Sequence, residues 1–162
     1  MKIGVYPGTF DPITNGHTDI IKRSLRVFDK VIVAVAPNTT KRPLFDLAER
    51  VDMVRLTTKD LAQVEVEAFE GLLVEYIHKR GARAIIRGIR AISDFEYEFQ
   101  MALMNRKLDT SVETMFLMPS EEFSYLTSGI VKEVASLGGT LDEFVHPEVA
   151  IRLRQRLRGG HR

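Results

Sequence analysis

The sequence predicts an α/β fold in which helices cover both faces of one parallel β-sheet. Short apolar or β-branched runs alternate with segments of helical periodicity along the whole chain. One of these runs, residues 31–36 (VIVAVA), is apolar at every position, which is typical of a strand covered on both faces. Polar and glycine-bearing loops follow the predicted strands. Because ligands bind at the carboxyl ends of parallel strands, these loops predict one shared site at that edge.

The first half of the chain yields three predicted strands and three predicted helices. Residues 2–6 precede a helix over 17–28, in which Ile21, Leu25 and Phe28 recur with helical spacing. After the strand at 31–36, Asp46 and Glu49 form the pattern of a capping box and predict a helix to about residue 59. The third strand, 64–69, precedes a helix over 71–80 with one apolar face and a terminal glycine at position 81.

The second half predicts two further strands and three further helices. A short buried strand at 84–86 ends at an arginine, and the helix expected over 93–108 carries two apolar stripes where a surface helix needs one. We expect the first stripe (Phe95, Phe99, Ala102 and Leu103) to pack on the sheet. The second stripe, Tyr97, Met101, Met104 and Leu108, then has no partner in a small domain and predicts self-association.

The remaining strand and the remaining two helices of the second half complete the predicted elements. The last strand is predicted at 112–118, and a loop over 119–126 leads into a helix that the two glycines at 138 and 139 stop near residue 137. A basic helical tail follows at 147–158, whose arginines we interpret as a solvated face. They are Arg152, Arg154, Arg156 and Arg158.

Composition narrows the class of protein. With 162 residues, 44% of them hydrophobic, the chain is expected to form a single soluble domain, residues 1–162, with a helical tail from about 140 to 162. A net charge of +1 gives no general attraction for nucleic acid, and no apolar run is long enough to span a membrane. The absence of cysteine excludes disulfides and thiolate metal sites and favours a cytoplasmic location.

The most informative stretch is residues 6–17, YPGTFDPITNGH, between the first strand and the first helix. Its prolines and glycines shape a rigid loop, and Thr14 or Asn15 can cap the helix. The helix amino terminus favours an anion, to which His17 in the first turn can donate a hydrogen bond. The stretch is neither a Walker loop nor a dinucleotide-binding fingerprint, because the residues that define those motifs are missing.

This stretch resembles the T/HxGH signature of the nucleotidyltransferase superfamily, with Thr14, Gly16 and His17 as the matching residues. Over all twelve residues it is most similar to the bacterial phosphopantetheine adenylyltransferase family, and the similarity extends from residue 2 to about residue 150. The resemblance implies a five-stranded Rossmann-like sheet. It also implies transfer of AMP from ATP to 4′-phosphopantetheine, giving dephospho-coenzyme A and pyrophosphate.

The resemblance also assigns site residues. His17 matches the family's transition-state stabiliser. The matching ATP-binding positions are Thr9, Phe10, His17, Gly88, Ile89, Arg90, Glu98, Phe123, Ser124, Tyr125, Leu126, Thr127, Ser128 and Gly129. The matching substrate-binding positions are Thr9, Lys41, Leu73 and Arg87. Thr127 and Gly129 depart from the family's hydroxyl-rich loop, and Gly129 loses one side-chain hydroxyl. From spacing alone, Glu98 could equally be a solvated carboxylate.

The expected partners and cofactor complete the prediction. Mg²⁺ should enter on the ATP phosphates rather than in a protein cage, and the resemblance implies a homohexamer. Two alternatives stay open: an adenylyltransferase for another phosphate, such as nicotinate mononucleotide, and a non-catalytic ATP-binding module. The second would need neither a histidine beside the α-phosphate nor a separate anion site.

Overall fold

A computed structural model describes residues 1–37, 42–90 and 92–159, without the side chains of residues 92 and 93. In these ranges five parallel strands form one sheet in the order β3-β2-β1-β4-β5. The strands are β1 (Ile3–Gly8), β2 (Lys30–Val35), β3 (Val64–Ala68), β4 (Ala84–Gly88) and β5 (Glu113–Leu117). The helices are α1 (Asn15–Ser24), α2 (Leu47–Thr58), α3 (Leu73–Lys79), α4 (Ile92–Leu108), α5 (Ser128–Ser136) and α6 (Pro147–Gly159). The predicted α/β class is confirmed.

Alternate residues of the central strands pack on opposite faces of the sheet. Val31 and Val33 of β2 join the larger core with α1, α2, α5 and α6, whereas Ile32 and Ala34 join the smaller core with α3. These β2 residues are fully buried. The unbroken apolar run in the sequence is therefore explained by helices on both faces, as predicted.

β1 and β4 diverge at their carboxyl ends. The strands added before β4 extend the sheet to one side of β1, and β4 and β5 extend it to the other. β4 pairs with β1 only at Gly4 and Val5, while β2 follows β1 all the way to Gly8. Beyond Val5, the Arg87 guanidinium takes the place of a neighbouring strand and donates a hydrogen bond of 2.9 Å to the Pro7 carbonyl. A cleft at this switch point is where parallel sheets bind ligands.

Several boundaries differ from the predictions, most informatively two strand ends and one helix end. β1 continues through Pro7 and Gly8, and β4 continues through Arg87 and Gly88, because neighbouring strands pair with these residues although proline and glycine are typical of loops. α1 ends at Ser24 rather than Phe28. Phe28 nonetheless packs on the sheet, over Gly4, where a Cβ would come within 3.0 Å of its ring.

The helix caps follow the sequence closely. The Asp46 carboxylate accepts the Glu49 N–H at 2.8 Å, and Glu49 in return accepts the Asp46 N–H at 2.9 Å, as the capping-box pattern predicts. Gly81 lies just past α3 with φ of 65°, the left-handed conformation that glycine adopts most readily. No helix in the described ranges has the length and apolarity needed to cross a bilayer.

The packing prediction for α4 was wrong. We expected one apolar stripe to face the sheet, but Phe95, Phe99 and Leu103 are 47–48% exposed, and the stripe with Tyr97 and Met104 is exposed as well. Among residues 94–108 of this helix the buried ones are instead Glu98 and Asn105, each 7% exposed. α4 therefore turns a polar face inward because Glu98 bonds to Arg87 at the end of β4.

Candidate active site

A cavity of about 630 Å³ lies at the carboxyl ends of β1 and β4. Its walls come from the loop after β1, the first turns of α1 and α4, the end of β4, and the segment that leads into α5. The lining residues are Tyr6, Pro7, Gly8, Thr9, Phe10, Asp11, Thr14, Gly16, His17, Ile20, Arg87, Gly88, Arg90, Asp94, Tyr97, Glu98, Pro119, Phe123, Leu126, Thr127, Ser128 and Lys132.

Most of the predicted site residues lie at this cavity. It brings together Thr9, Phe10, His17, Arg87, Gly88, Arg90, Glu98, Phe123, Leu126, Thr127 and Ser128. Ile89, Ser124, Tyr125 and Gly129 are close in sequence to lining residues but lie outside the lining, and Leu73 lies outside it as well. Leu73 begins α3 and packs against the smaller core. Lys41 lies outside the described residues.

The amino terminus of α1 is closed by a capping box between Thr14 and His17. The Thr14 hydroxyl accepts the His17 N–H, and the Thr14 N–H donates to His17 Nδ1 at 2.9 Å. Because Nδ1 accepts a hydrogen bond, the neutral ring carries its proton on Nε2. Within the described ranges Nε2 has no protein partner, so this N–H is available as a donor at the cavity wall.

The His17 ring is held neutral. It packs edge-on against Phe10, with ring centroids 5.0 Å apart. Burial, with the nearby charges of Arg90 and Arg87, lowers the His17 pKa to about 3. At neutral pH the side chain is therefore a hydrogen-bond donor without a charge, whereas the sequence left its charge state open.

A buried arginine of α2, Arg50, holds the loop at Thr9 and Phe10 in place. Phe10 has φ of 50°, and its ring is buried, 3% exposed, in the larger core. Its contribution to a ligand must therefore come mainly from its backbone. Arg50 of α2 donates 2.8 Å hydrogen bonds to the carbonyls of Thr9 and Ala36, which fixes the path of the loop.

Arg87 and Glu98 form a forked ion pair at the floor of the cavity. Nε and Nη2 of Arg87 bond to the two carboxylate oxygens of Glu98, and the Glu98 side chain is only 9% exposed. Burial by itself lowers the Arg87 pKa, but the hydrogen bonds and charge of Glu98 outweigh that effect and raise it. The alternative of a solvated Glu98 is thus excluded. The pair fixes Arg87 as a permanent cation with donors left over for an anion.

The segment before α5 closes the other side. Thr127 caps α5 by accepting the Ile130 N–H at 3.0 Å, so the threonine that replaces a serine of the family pattern performs the capping. Arg90 donates to the Leu126 carbonyl at 3.2 Å, and Ser128 donates to the Pro12 carbonyl at 2.8 Å. These two bonds tie the segment to the loops after β4 and β1.

Asp11 joins this site to the segment before α2. Its carboxylate accepts the N–H groups of Leu44 and Phe45, both at 2.9 Å, and bonds to Lys132 Nζ at 3.1 Å. The Asp11 side chain is 7% exposed, and that of Lys132 is 34% exposed. Lys132 is therefore an oriented cation at the cavity wall, beside the amino terminus of α5.

The overall arrangement suits a ligand with several phosphates. Two helix amino termini, a neutral histidine donor and the cations Arg87, Arg90 and Lys132 surround one cavity. Such groups bind and position anions, but they do not form a nucleophile–base set for acyl transfer.

Comparison with known proteins agrees with this chemistry. Residues 5–134 match the cytidylyltransferase-like family model. The chain is 56% identical to the phosphopantetheine adenylyltransferase of Caldanaerobacter subterraneus subsp. tengcongensis, over 98% of this chain and 99% of that protein. It is 51% identical to that of Thiobacillus denitrificans, with the same coverage of each chain. The chain belongs to the phosphopantetheine adenylyltransferase family.

A solved structure gives independent support for the fold of this adenylyltransferase. A Vibrio parahaemolyticus protein assigned as a nicotinate-nucleotide adenylyltransferase aligns with a TM-score of 0.71, covering 97% of this chain and 95% of that one. The two are 20% identical in sequence, so the likeness concerns the fold alone. The predicted Rossmann-like nucleotidyltransferase architecture is confirmed.

Several residues of the adenylyltransferase site were missed or left without a role by the sequence. Tyr6 was placed inside a strand, yet it lines the cavity, and burial raises its phenol pKa to about 12. Asp11 and Lys132 had no assigned contact, and Arg50 was not noticed. A signal existed only for Arg50, a charged residue on the buried face of α2 beside Val51 and Val54.

Proposed function

We propose that this adenylyltransferase transfers AMP from ATP to 4′-phosphopantetheine, giving dephospho-coenzyme A and pyrophosphate in coenzyme A biosynthesis. The observation that carries the proposal is the neutral His17, whose Nε2–H is available at the cavity wall among the fixed cations Arg87 and Arg90. Relatives that share more than half of their residues with this chain bear the name of this activity.

The reaction needs anion positioning more than proton transfer. The attacking group is itself a phosphate, with a second pKa of about 6, so it is mostly a dianion at neutral pH and requires no general base. ATP and the acceptor repel each other, and the cations reduce that repulsion while the cleft aligns the two. The donors at His17 and at the two helix termini would stabilise charge that develops at the α-phosphate and on the leaving pyrophosphate.

We assign the two substrates to different parts of the cleft. Thr9, Lys41, Leu73 and Arg87 are proposed to bind phosphopantetheine, with Leu73 contributing through its backbone. Thr9 is also proposed to bind ATP, together with the remaining predicted residues from the loop after β1, the end of β4, α4 and the segment around the start of α5. The location of Arg87 at the floor of the cavity, between the β1 loop and α4, supports its role at the junction of the two sites.

Mg²⁺ is proposed to arrive with the nucleotide. The described residues contain no group of three or more His, Asp or Glu side chains suited to hold a metal, and Asp11 and Asp94 are engaged with Lys132 and Arg90. The ion would bind phosphate oxygens and neutralise part of their charge. A cytoplasmic location stays a prediction from the cysteine-free composition.

The deciding experiment incubates the protein with ATP, Mg²⁺ and a panel of phosphate acceptors and measures pyrophosphate release. We expect release with 4′-phosphopantetheine and none with nicotinate mononucleotide. The reverse preference would overturn the substrate while leaving the superfamily intact. ATP binding without release for any acceptor would favour the non-catalytic alternative.

Lys41 offers a test of the proposed division between substrates. Lys41→Ala should raise the KM for phosphopantetheine at least about tenfold while the KM for ATP stays within about twofold, because an acceptor phosphate would lose a direct cation. Arg42→Ala, one residue on, is the matched control and should change neither constant. A larger rise in the KM for ATP would mean that Lys41 belongs to the ATP site and that our assignment of it to phosphopantetheine is wrong.

We further propose that the enzyme assembles as a homohexamer through α4. The helix exposes the apolar side chains of Phe95, Tyr97, Phe99, Met101, Leu103, Met104 and Leu108. Exposed apolar side chains in this number on one helix usually mark an interface. The assembly would cover the helix whose inner face supplies Glu98 to the site.

A further inference from the structure

The dipeptide Leu44–Phe45 is held at every backbone polar group by side chains from elsewhere in the chain. Both N–H groups donate to the Asp11 carboxylate at 2.9 Å. The Leu44 carbonyl accepts from Arg156 Nη1 at 2.8 Å, and the Phe45 carbonyl accepts from Arg50 Nε at 3.1 Å. A loop segment fixed at all four groups has very little freedom to move.

We call the three side chains that hold this dipeptide, Asp11, Arg50 and Arg156, the clamp. Arg156 lies near the carboxyl end of α6 and is the most exposed member of the clamp. Its guanidinium also pairs with Glu49 of α2 and lies over the Phe45 ring, 5.1 Å from the ring centroid. A cation in this position is attracted to the face of the ring. The arginine therefore holds both the backbone of Leu44 and the side chain of Phe45.

The clamp leads directly to the active-site cavity. The Asp11 carboxylate that accepts the two N–H groups also bonds to Lys132 Nζ at 3.1 Å, and Lys132 lines the cavity. The two N–H donors stabilise part of the negative charge of the Asp11 carboxylate. Without them, the carboxylate would form a stronger ion pair with Lys132. The lysine would then be less available to a phosphate.

We propose that Arg156 is a positioning residue for the bound nucleotide: it fixes Leu44–Phe45 on Asp11, and Asp11 in turn sets the position of Lys132 for the ATP phosphates. The inference rests on the proposed use of ATP. It gives the basic helical tail a role beyond the solvated face expected from its sequence.

The first test compares two arginines of α6 in the full-length chain. Arg156→Ala should raise the ATP Kd, measured by isothermal titration calorimetry, and the ATP KM about fivefold, with kcat and the phosphopantetheine KM within about twofold of wild type. Arg152→Ala is the matched control, because Arg152 pairs with Asp52 of α2 at 2.6 Å but is not part of the clamp. It should leave the ATP affinity unchanged. Arg156→Lys, which keeps the cation over Phe45 without the fork, should restore part of the affinity.

A double-mutant cycle separates positioning from general destabilisation. Lys132→Ala alone should weaken ATP binding, and adding Arg156→Ala to it should weaken binding no further, because the second change acts only through the lysine. The proposal is overturned if the two effects multiply, if Arg152→Ala matches Arg156→Ala, or if Arg156→Ala lowers the melting temperature with ATP affinity unchanged. Calorimetry needs no turnover, so a failure of the proposed reaction would be seen separately in the pyrophosphate assay.

Discussion

α1 and α4 both border the candidate active-site cavity, but they bury opposite kinds of surface. α1 buries Ile20 and Ile21 against the sheet and exposes Lys22 to solvent. α4 buries Glu98 and Asn105 and exposes its large apolar side chains from Phe95 onward. The first helix follows the ordinary amphipathic rule, whereas the second reverses it.

The difference shows two ways in which a helix can be positioned at a site: by packing in the apolar core or by an ion pair. α1 is positioned by core packing and contributes its capped amino terminus, His17 and Ile20 to the cavity. α4 is placed by the Arg87–Glu98 pair, so its inner face is occupied by polar contacts to the site. Its apolar side chains from Phe95 onward are exposed. If another chain covers them, as we propose, assembly would also affect the order of the site.

The largest expected effect tests the contribution of α1. His17→Ala should lower kcat about 10²-fold or more with little change in ATP Kd, because Nε2–H acts on charge that develops in the transition state. Thr14→Ala breaks the same capping box and should cost about 1 kcal/mol of stability with a far smaller loss of turnover. An equal loss of kcat and ATP affinity in His17→Ala would make the histidine a ground-state ligand instead.

Glu98→Ala tests whether an ion pair places α4. Removing the carboxylate leaves Arg87, 31% exposed, without its partner, and should lower the free energy of unfolding by about 2 kcal/mol, less than for a fully buried pair. Arg106→Ala is the control on the same helix, because its pair with Glu113 is 55% and 63% exposed and should contribute about 0.5 kcal/mol at most. Urea unfolding measures both. Equal effects would show that the Arg87–Glu98 pair has no special role.

Met101→Glu tests the outer face of α4. A charge in the proposed interface should dissociate the oligomer in light scattering and weaken ATP binding about tenfold, since α4 would lose its support. Val27→Glu places the same charge at an apolar residue, 44% exposed, away from α4, and should change neither property. A wild-type monomer of 18.4 kDa would refute the interface. A dissociated variant with intact ATP affinity would refute only the coupling to the site.

The smallest expected effect concerns pH. The pKa of His17 is lowered to about 3 in the folded protein, so between pH 6.5 and 3 the unfolded chain binds a proton that the folded chain does not. The free energy of unfolding should therefore decrease as the pH is lowered through this window. At pH 5.5 the decrease should be about 1 kcal/mol relative to the His17→Gln variant. The His17 ring should show no NMR titration between pH 5 and 8. A midpoint near 6.5 would mean that burial and the charges of Arg90 and Arg87 do not keep the ring neutral.

The sequence by itself determined the local features of this protein. The alternation of strands and helices, the capping box at Asp46, the turn at Gly81 and the shaped loop before α1 depend on residues a few positions apart. Hydrophobic periodicity and turn chemistry act over such short separations, so one sequence reveals them. The stretch at residues 6–17 was also long enough to indicate the family.

Only the tertiary structure decided which charged groups meet. Glu98 pairs with Arg87, Lys132 with Asp11, and Arg156 with Glu49, across separations of up to 121 residues. No periodicity encodes such contacts, because they depend on how the helices are oriented on the sheet. α4 shows the consequence: its apolar residues predicted the wrong buried face, since the half-buried arginine at the end of β4 pairs with a buried carboxylate there.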